Sequence, residues 1–431
     1  MNDEAKPNSL ESDPKAAAEE SRPRPAASNP TLSTRKKLLF VAVLTFGTTL
    51  FCLTALELGM RKHKGFAMLT WGLAHPTEEA TGRRFFEPNR FKVWNAEWVR
   101  RNPKQFEDWP VELQTFEDDD VYPHYLFQPN LRIVRDGNRL RPAEKPEDEV
   151  YWSGNHLGLR GGAIAAKKPG TVRVVCLGAS TTEGSQTDSD TYPHQLQLRL
   201  AEKFGERVEV INAGHHAYNS GDCVAFLKMV IDEIDPDVVL WYQACNDLYW
   251  ANWLEGKTDA RKRSKRRWRE VLHRHSALAR GLGVDGAREP MPHTFVNTPD
   301  NPSLLQWLGN VEAFVTLCRE KDVEPVVASF ATIVHDELEW SASEHEHVDR
   351  WIQHYFPLTV SEIATIYATV NDAGRKLAER HGCKYIDAAA AIPRTHEIFW
   401  DGIHYTPEGN KRLANVMAKG LEPVVETHLR R

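Results

Sequence analysis

The chain has 431 residues, of which 41% are hydrophobic and 26% charged, and a net charge of −6. That composition supports a substantial packed core rather than wholesale disorder, and the length suits two or three domains of about 150 residues each. The acidic balance speaks against a chain built to bind polyphosphate, so no nucleic-acid partner is expected. The cysteines Cys52, Cys176, Cys223, Cys245, Cys318 and Cys383 show neither paired spacing nor CxxC, which suggests neither a disulfide framework nor a zinc site.

Residues 1–37 form a tail rich in Pro, Ala, Ser, Glu and Lys with little to bury, expected to be disordered. The run RKKLLFVAVLTFGTTLFCLTALELGMRKHK follows, uncharged from Leu38 to Leu56 and bracketed by basic clusters. It suits a helix of about 20 residues crossing a hydrocarbon core, assigned to 38–59. A secretory signal peptide is the competing reading. However, the segment starts late and no small-x-small cleavage site follows it cleanly. Phe51 before Cys52 also makes a poor lipoprotein signal, so an uncleaved single-pass anchor is expected. Arg35, Lys36 and Lys37 precede the span and Arg61, Lys62 and Lys64 follow it, so charge barely decides orientation. The expected arrangement puts the short tail in the cytoplasm and the large domain outside it. Residues 60–168, rich in Trp, Phe, Pro and charge without a sustained period, read as a juxtamembrane collar and lead-in packed on the later domain.

From Thr171 the pattern changes. The apolar runs TVRVVCLG, VEVINAG, DVVLWYQ, EPVVASF and the weaker KYIDAA alternate with stretches such as YPHQLQLRLAEKFG, AYNSGDCVAFLKMVIDEI and TVNDAGRKLAERHG. Short β-branched runs between amphipathic helices imply βαβ units and a parallel sheet covered on both faces. The expected fold class is α/β, a three-layer sandwich around a five-stranded parallel sheet over residues 169–431. Ligands of such sheets bind beyond the carboxyl ends of the strands.

After the first strand comes GASTTEG, where Gly178-Ala179 lets the chain turn sharply and exposes the Ser180 hydroxyl at the start of a helix. The second strand ends in NAG at Gly214, where a backbone N–H meets a ligand without a Cβ in the way. Asn246 follows the third strand in ACND. Near the C-terminus, WDGIHYTPEGN sets Asp401 three residues before His404. Each fragment alone has an ordinary reading: a helix cap, a turn, a chance loop pair. Their order, each at a strand end, is what points to chemistry.

In these blocks the chain resembles the SGNH (GDSL-like) hydrolase family, from Thr171 to about Leu421. Gly178-Ala179-Ser180 stands for the family's G-D-S, and Gly214 for its second-block glycine. Ala244-Cys245-Asn246-Asp247 stands for G-x-N-D, and Asp401-Gly402-Ile403-His404 for D-x-x-H. The resemblance implies a flavodoxin-like fold and a cofactor-free serine hydrolase, with Ser180 as nucleophile, His404 as base and Asp401 as orienting carboxylate. The oxyanion donors would be the Ser180 and Gly214 N–H groups and the Asn246 amide. The expected substrate is an acyl ester, an O-acetyl group included, on a glycan or lipid. An O-acyltransferase using the same triad and a catalytically silent glycan-binding module are the alternatives. Ala179 and Ala244 depart from the family pattern, and Ala244 adds a methyl near the oxyanion site.

The tetrapeptide Ser153-Gly154-Asn155-His156 spells the family's letters but precedes the first strand. It reads as part of a turn, N-x-x-G-x-R-G, feeding that strand. His345 and His347 read as a solvated helix face rather than metal ligands. The basic run Arg261–Arg269 reads as a solvated helix or as a contact with anionic lipid headgroups or an anionic glycan. Tyr249, Trp250 and Trp253 read equally as core or as aromatic faces at the crevice edge.

Overall fold

The computed structural model describes residues 33–64, 66, 68–69, 92–93, 123, 125–136, 139–145, 150–184, 187–248, 250–255, 271–272, 275–282, 293–335, 348, 351, 355 and 357–431. The apolar N-terminal run forms one helix, α1 (Thr34–Lys64), long and apolar enough to cross a membrane. It extends past both ends of the expected 38–59 span, because the flanking basic residues continue the helix. The Thr48 and Thr54 hydroxyls donate to the Leu44 and Leu50 carbonyls, each at 2.8 Å, so these β-branched residues are accommodated without an unsatisfied hydroxyl.

Within the lead-in, short strands appear where no period is visible. The pair β1 (Lys92–Val93) and β2 (Leu126–Phe127) is antiparallel, and β3 (Arg132–Asp136), β4 (Arg139–Pro142) and β5 (Val150–Ser153) form an antiparallel sheet in the order β4-β3-β5. Elements this short carry too few alternations to register as a pattern. Ile133 and Trp152, partners across β3 and β5, are fully buried. They belong to the same apolar core as the main sheet.

The main sheet is built from β6 (Val172–Gly178), β7 (Val208–Gly214), β8 (Val238–Tyr242), β11 (Glu324–Ala328) and β12 (Lys384–Ile386), all parallel, in the order β12-β11-β8-β6-β7. All seven residues of β6 are buried, as an apolar strand covered on both faces requires. In chain order the helices are α2 (Ser180–Glu183), α3 (Tyr192–Phe204), α4 (Ser220–Ile234), α5 (Ala277–Gly281), α6 (Pro302–Glu320), α7 (Val360–Arg380), α8 (Ala388–Ala391) and α9 (Pro407–Leu429). Helix α3 packs with α9 on one face, while α6 packs with α4 and α7 on the other. The short pair β9 (Leu254–Glu255) and β10 (Thr294–Phe295) brackets α5 within the insertion between β8 and α6. From β6 the chain first steps outward to β7 and then crosses back over β6 to β8 on its other side. The winding therefore reverses at β6, and in sheets of this kind ligands bind beyond the carboxyl end of the strand at such a switch point.

Candidate active site

Strand β6 stops at Gly178, Ala179 turns the chain, and Ser180 is the first residue of the single-turn helix α2. The Ser180 Oγ lies 2.8 Å from His404 Nε2, across 224 residues of sequence. His404 Nδ1 lies 2.8 Å from Asp401 Oδ2. A carboxylate only accepts, so Nδ1 carries the proton and a neutral ring leaves Nε2 to accept from the Ser180 hydroxyl. Asp401 Oδ1 accepts the backbone N–H groups of Ile403 at 2.8 Å and His404 at 2.9 Å. Burial alone would raise the Asp401 carboxyl. The facing His404 ring and these two N–H donors outweigh it and hold the acid below the usual carboxylate range.

The turn is fixed from outside through Gly402. Its carbonyl accepts the Ile333 N–H at 3.1 Å and the Thr332 hydroxyl at 2.7 Å. A Cβ built on Gly402 would stand 2.0 Å from the Trp351 ring, so the indole lies directly on the peptide between Asp401 and His404.

Asn246 sits on the turn Cys245–Asp247 after β8. One hydrogen of its Nδ2 goes to the Tyr218 carbonyl at 2.8 Å, leaving the second N–H of the amide. Asp247 anchors this turn by accepting the Ser220 N–H at 3.0 Å and Gln243 Nε2 at 2.8 Å. Burial pushes the Asp247 carboxyl up to about 6, with the Ser220 and Gln243 donors opposing the rise.

Gly214 departs from expectation. Its N–H donates to Asn212 Oδ1 at 3.0 Å and is thereby occupied. A Cβ there would stand 2.0 Å from the Glu183 nitrogen, so the residue is glycine because the backbone of α2 rests on it. Three residues on, the exposed Ala217 has φ +64°, a left-handed conformation that costs an L-residue about 1–2 kcal/mol. Among the described residues, the Ser180 and Ala217 N–H groups have no hydrogen-bond acceptor.

The sequence profile of the GDSL-like Lipase/Acylhydrolase family matches residues 176–412, just over half the chain. The chain belongs to this family. It is an SGNH-type hydrolase acting on carboxylic esters. No curated protein matches the sequence. Similar solved structures include an alpha/beta hydrolase enzyme from the metagenome of Lake Arreo, Spain, at 16% identity and TM-score 0.37, covering 58% of this chain and 95% of that one. The lipase/acylhydrolase from Enterococcus faecalis has 16% identity and TM-score 0.36, covering 59% of this chain and 97% of that one. A GDSL-like lipase from Bacteroides thetaiotaomicron has 12% identity and TM-score 0.36, covering 61% and 92%.

Within this GDSL-like hydrolase the lead-in turn has its own work. Asn155 Oδ1 accepts the Leu157 and Leu159 N–H groups at 2.9 and 3.0 Å, and Ser153 Oγ donates to Asp188 at 2.5 Å. Arg160 is buried and donates from Nη1 to the Glu183 carbonyl at 2.9 Å and the Gly184 carbonyl at 2.7 Å, while its Nε meets Asp188 at 2.7 Å. The cation thus closes the carbonyl end of α2, where the helix dipole favours it. The tetrapeptide's side chains bond to partners other than Ser180 and His404: among the described residues its His156 faces Glu233 at 3.7 Å and its Ser153 meets Asp188. Trp253 is fully buried and stacks with Phe295, an ordinary core role. Tyr249, His345, His347, the run Arg261–Arg269 and the side chain of Trp250 lie outside the described residues. Arg160, Thr332, Trp351 and Ala217 carry no local motif, and only Arg160 had a trace in sequence, as the R of the lead-in pattern.

Proposed function

We propose that this chain is a membrane-anchored serine esterase that removes an acyl group, an O-acetyl group included, from a glycan or lipid outside the cytoplasm. The observation that carries the reading is the unbroken line from Ser180 Oγ to His404 Nε2 and from His404 Nδ1 to Asp401, both links at 2.8 Å. In this reading residues 1–37 are the tail, 38–59 the membrane span, 60–168 the lead-in and 169–431 the hydrolase.

A serine hydroxyl is a weak nucleophile until a base takes its proton as it attacks. His404 accepts that proton as the Ser180 Oγ bonds to the ester carbonyl carbon, and Asp401 stabilises the resulting imidazolium. Negative charge builds on the former carbonyl oxygen. The donors assigned to it are the Ser180 and Ala217 backbone N–H groups and the remaining Asn246 N–H, each worth about 3 kcal/mol. Ala217 replaces Gly214 in this role because the Gly214 N–H is already committed to Asn212. The bond from Asn246 to the Tyr218 carbonyl ties the side-chain donor to the turn that carries Ala217. His404 then protonates the departing alcohol, and water attacks the acyl-serine by the same route in reverse.

The test is ester hydrolysis by the detergent-solubilised full chain on p-nitrophenyl acetate and a panel of longer acyl esters. Ser180→Ala and His404→Ala, each folded by circular dichroism, are expected to be inactive. Activity surviving in both variants would overturn the triad assignment, and a folded wild type with none on any ester would favour a silent binding module.

A further inference from the structure

The end of α1 is fastened to the hydrolase. The Glu57 carboxylate accepts Arg61 Nε at 2.8 Å, the Ser276 hydroxyl at 2.7 Å, and the backbone N–H groups of Ala277 at 2.8 Å and Leu278 at 2.9 Å. Arg61 Nη2 adds a bond of 2.7 Å to the His275 carbonyl. Met60 presses on Gly281, where a Cβ would stand 2.3 Å from its methyl, and Phe66 buries against Ala277 and Met60. The segment gripped here belongs to the insertion between β8 and α6, the same connection that leaves the sheet through Asn246.

This junction sits at a defined height. The uncharged stretch Leu38–Leu56 spans about 28 Å as a helix, close to the roughly 30 Å of a bilayer's hydrocarbon core. Glu57 is the next residue, at the edge of that core, where an ionised carboxylate needs its donors close at hand. The large apolar side chains exposed among the described residues follow the same geography. All but Leu198 and Leu305 lie either on α1 or within five residues in sequence of the segments packed at its C-terminal end, the latter being Met68, Leu69, Val271 and Leu282. Leu282 is 74% exposed and follows the Gly281 that touches Met60, while Leu69, 93% exposed, lies just past the buried Phe66.

We propose that Met68, Leu69, Val271 and Leu282 form an apolar foot that enters the headgroup–acyl boundary of the bilayer crossed by α1, with Glu57 and Arg61 clamping the hydrolase at fixed height. The occupant of this surface is lipid, and the inference rests on the reading of α1 as a membrane span. Side chains of this kind bury about 5–10 Å into the boundary layer. The enzyme is thereby a rigid attachment rather than a domain on a loose tether, and its crevice works at a constant distance from the bilayer.

The test uses the full chain with Cys52→Ser and Cys383→Ser, reconstituted in vesicles of mixed zwitterionic and anionic phospholipid. Leu282→Cys, Leu198→Cys and Phe46→Cys each carry an environment-sensitive fluorophore, and nitroxide lipids quench at headgroup or mid-acyl depth. The expected result is a blue-shifted Leu282 probe quenched from the headgroup position, a solvent-like Leu198 probe, and a Phe46 probe quenched from mid-acyl depth. A Leu282 probe as unquenched as the Leu198 probe, with Phe46 still quenched, overturns the foot and leaves the anchor standing. An unquenched Phe46 probe overturns the anchor and the foot with it. Adding Glu57→Ala is expected to abolish quenching at Leu282 without changing Phe46; unchanged quenching at Leu282 overturns the clamp.

Discussion

Asp401, Ile403 and His404 hold one another through bonds that reach at most three residues along the chain, at 2.8 to 2.9 Å. Ser180 is held differently. It opens a helix of four residues whose far end is gripped by Arg160, with the Glu183 and Gly184 carbonyls 23 and 24 residues away in sequence. Asp401 and His404 are joined within their own turn, which Ile333, Thr332 and Trp351 brace at Gly402, whereas Ser180 takes its position from the lead-in. A single turn of helix has no internal ladder to stiffen it, so its orientation depends on what closes its ends. Gly214 supports α2 from below and Arg160 closes its carbonyl end.

The largest effects should fall equally on both halves. Ser180→Ala and His404→Ala are each expected to lower kcat/KM by about 10⁴-fold or more, and the double variant by little more than either alone. Steady-state kinetics of the three variants checks this; additive losses would mean that the two residues do not act as one unit.

Arg160→Ala sharpens the contrast. It strips a buried cation from Asp188 and two carbonyls, so a loss of about 3–5 kcal/mol in stability is expected. Where the variant still folds, kcat should fall more than KM rises. Arg160→Lys keeps the charge but not the fork and should recover only part of the rate. An unfolding midpoint and a kcat both unchanged would show that α2 needs no brace. On the other side, Thr332→Val removes one of the donors to the Gly402 carbonyl while Ile333 keeps its bond. That is expected to cost about 1 kcal/mol and to change kcat only a few-fold.

Acid response separates two carboxylates that sit close to the site. Asp401 is held below its unfolded value of about 3.8, so its contribution to stability is full above that pH and is lost as pH falls through the folded value. Asp247 runs the other way. With its carboxyl raised to about 6, the folded state keeps the proton that the unfolded chain has already released, and stability declines as pH rises from about 4 to about 6. Thermal melts across that window should show a decline that Asp247→Asn removes; an unchanged slope in the variant would assign it elsewhere. The smallest effect belongs to Ala217→Gly, which relieves a left-handed alanine and should raise stability by about 1 kcal/mol with activity retained. A destabilised variant would contradict the backbone reading of that turn.

The same contrast explains what was legible in the sequence. The parallel sheet announced itself because β6, β7 and β8 are predominantly apolar, β-branched runs between amphipathic helices, and the contact of Asp401 with His404 was readable because three residues suffice to join them. Ser180 was readable as a hydroxyl at a strand end. The Gly214 N–H, expected to face a ligand, goes instead to Asn212, and a glycine after a strand looks the same whether it greets a ligand or lets another backbone rest on it. Ala217 gave no sign, since an alanine does not advertise a left-handed φ. The sheet β4-β3-β5 escaped because its strands span four or five residues. Trp351 and Thr332 act on Gly402 from remote parts of the chain, a relation no local pattern records.

The most direct measurement is peptide mapping by mass spectrometry after treating the full-length protein with a fluorophosphonate. The expected result is one covalent adduct on Ser180 in the wild type, formed far more slowly in His404→Ala. An adduct on a different residue, or labelling of Ser180 at the same rate without the imidazole, would contradict the pairing of these two side chains.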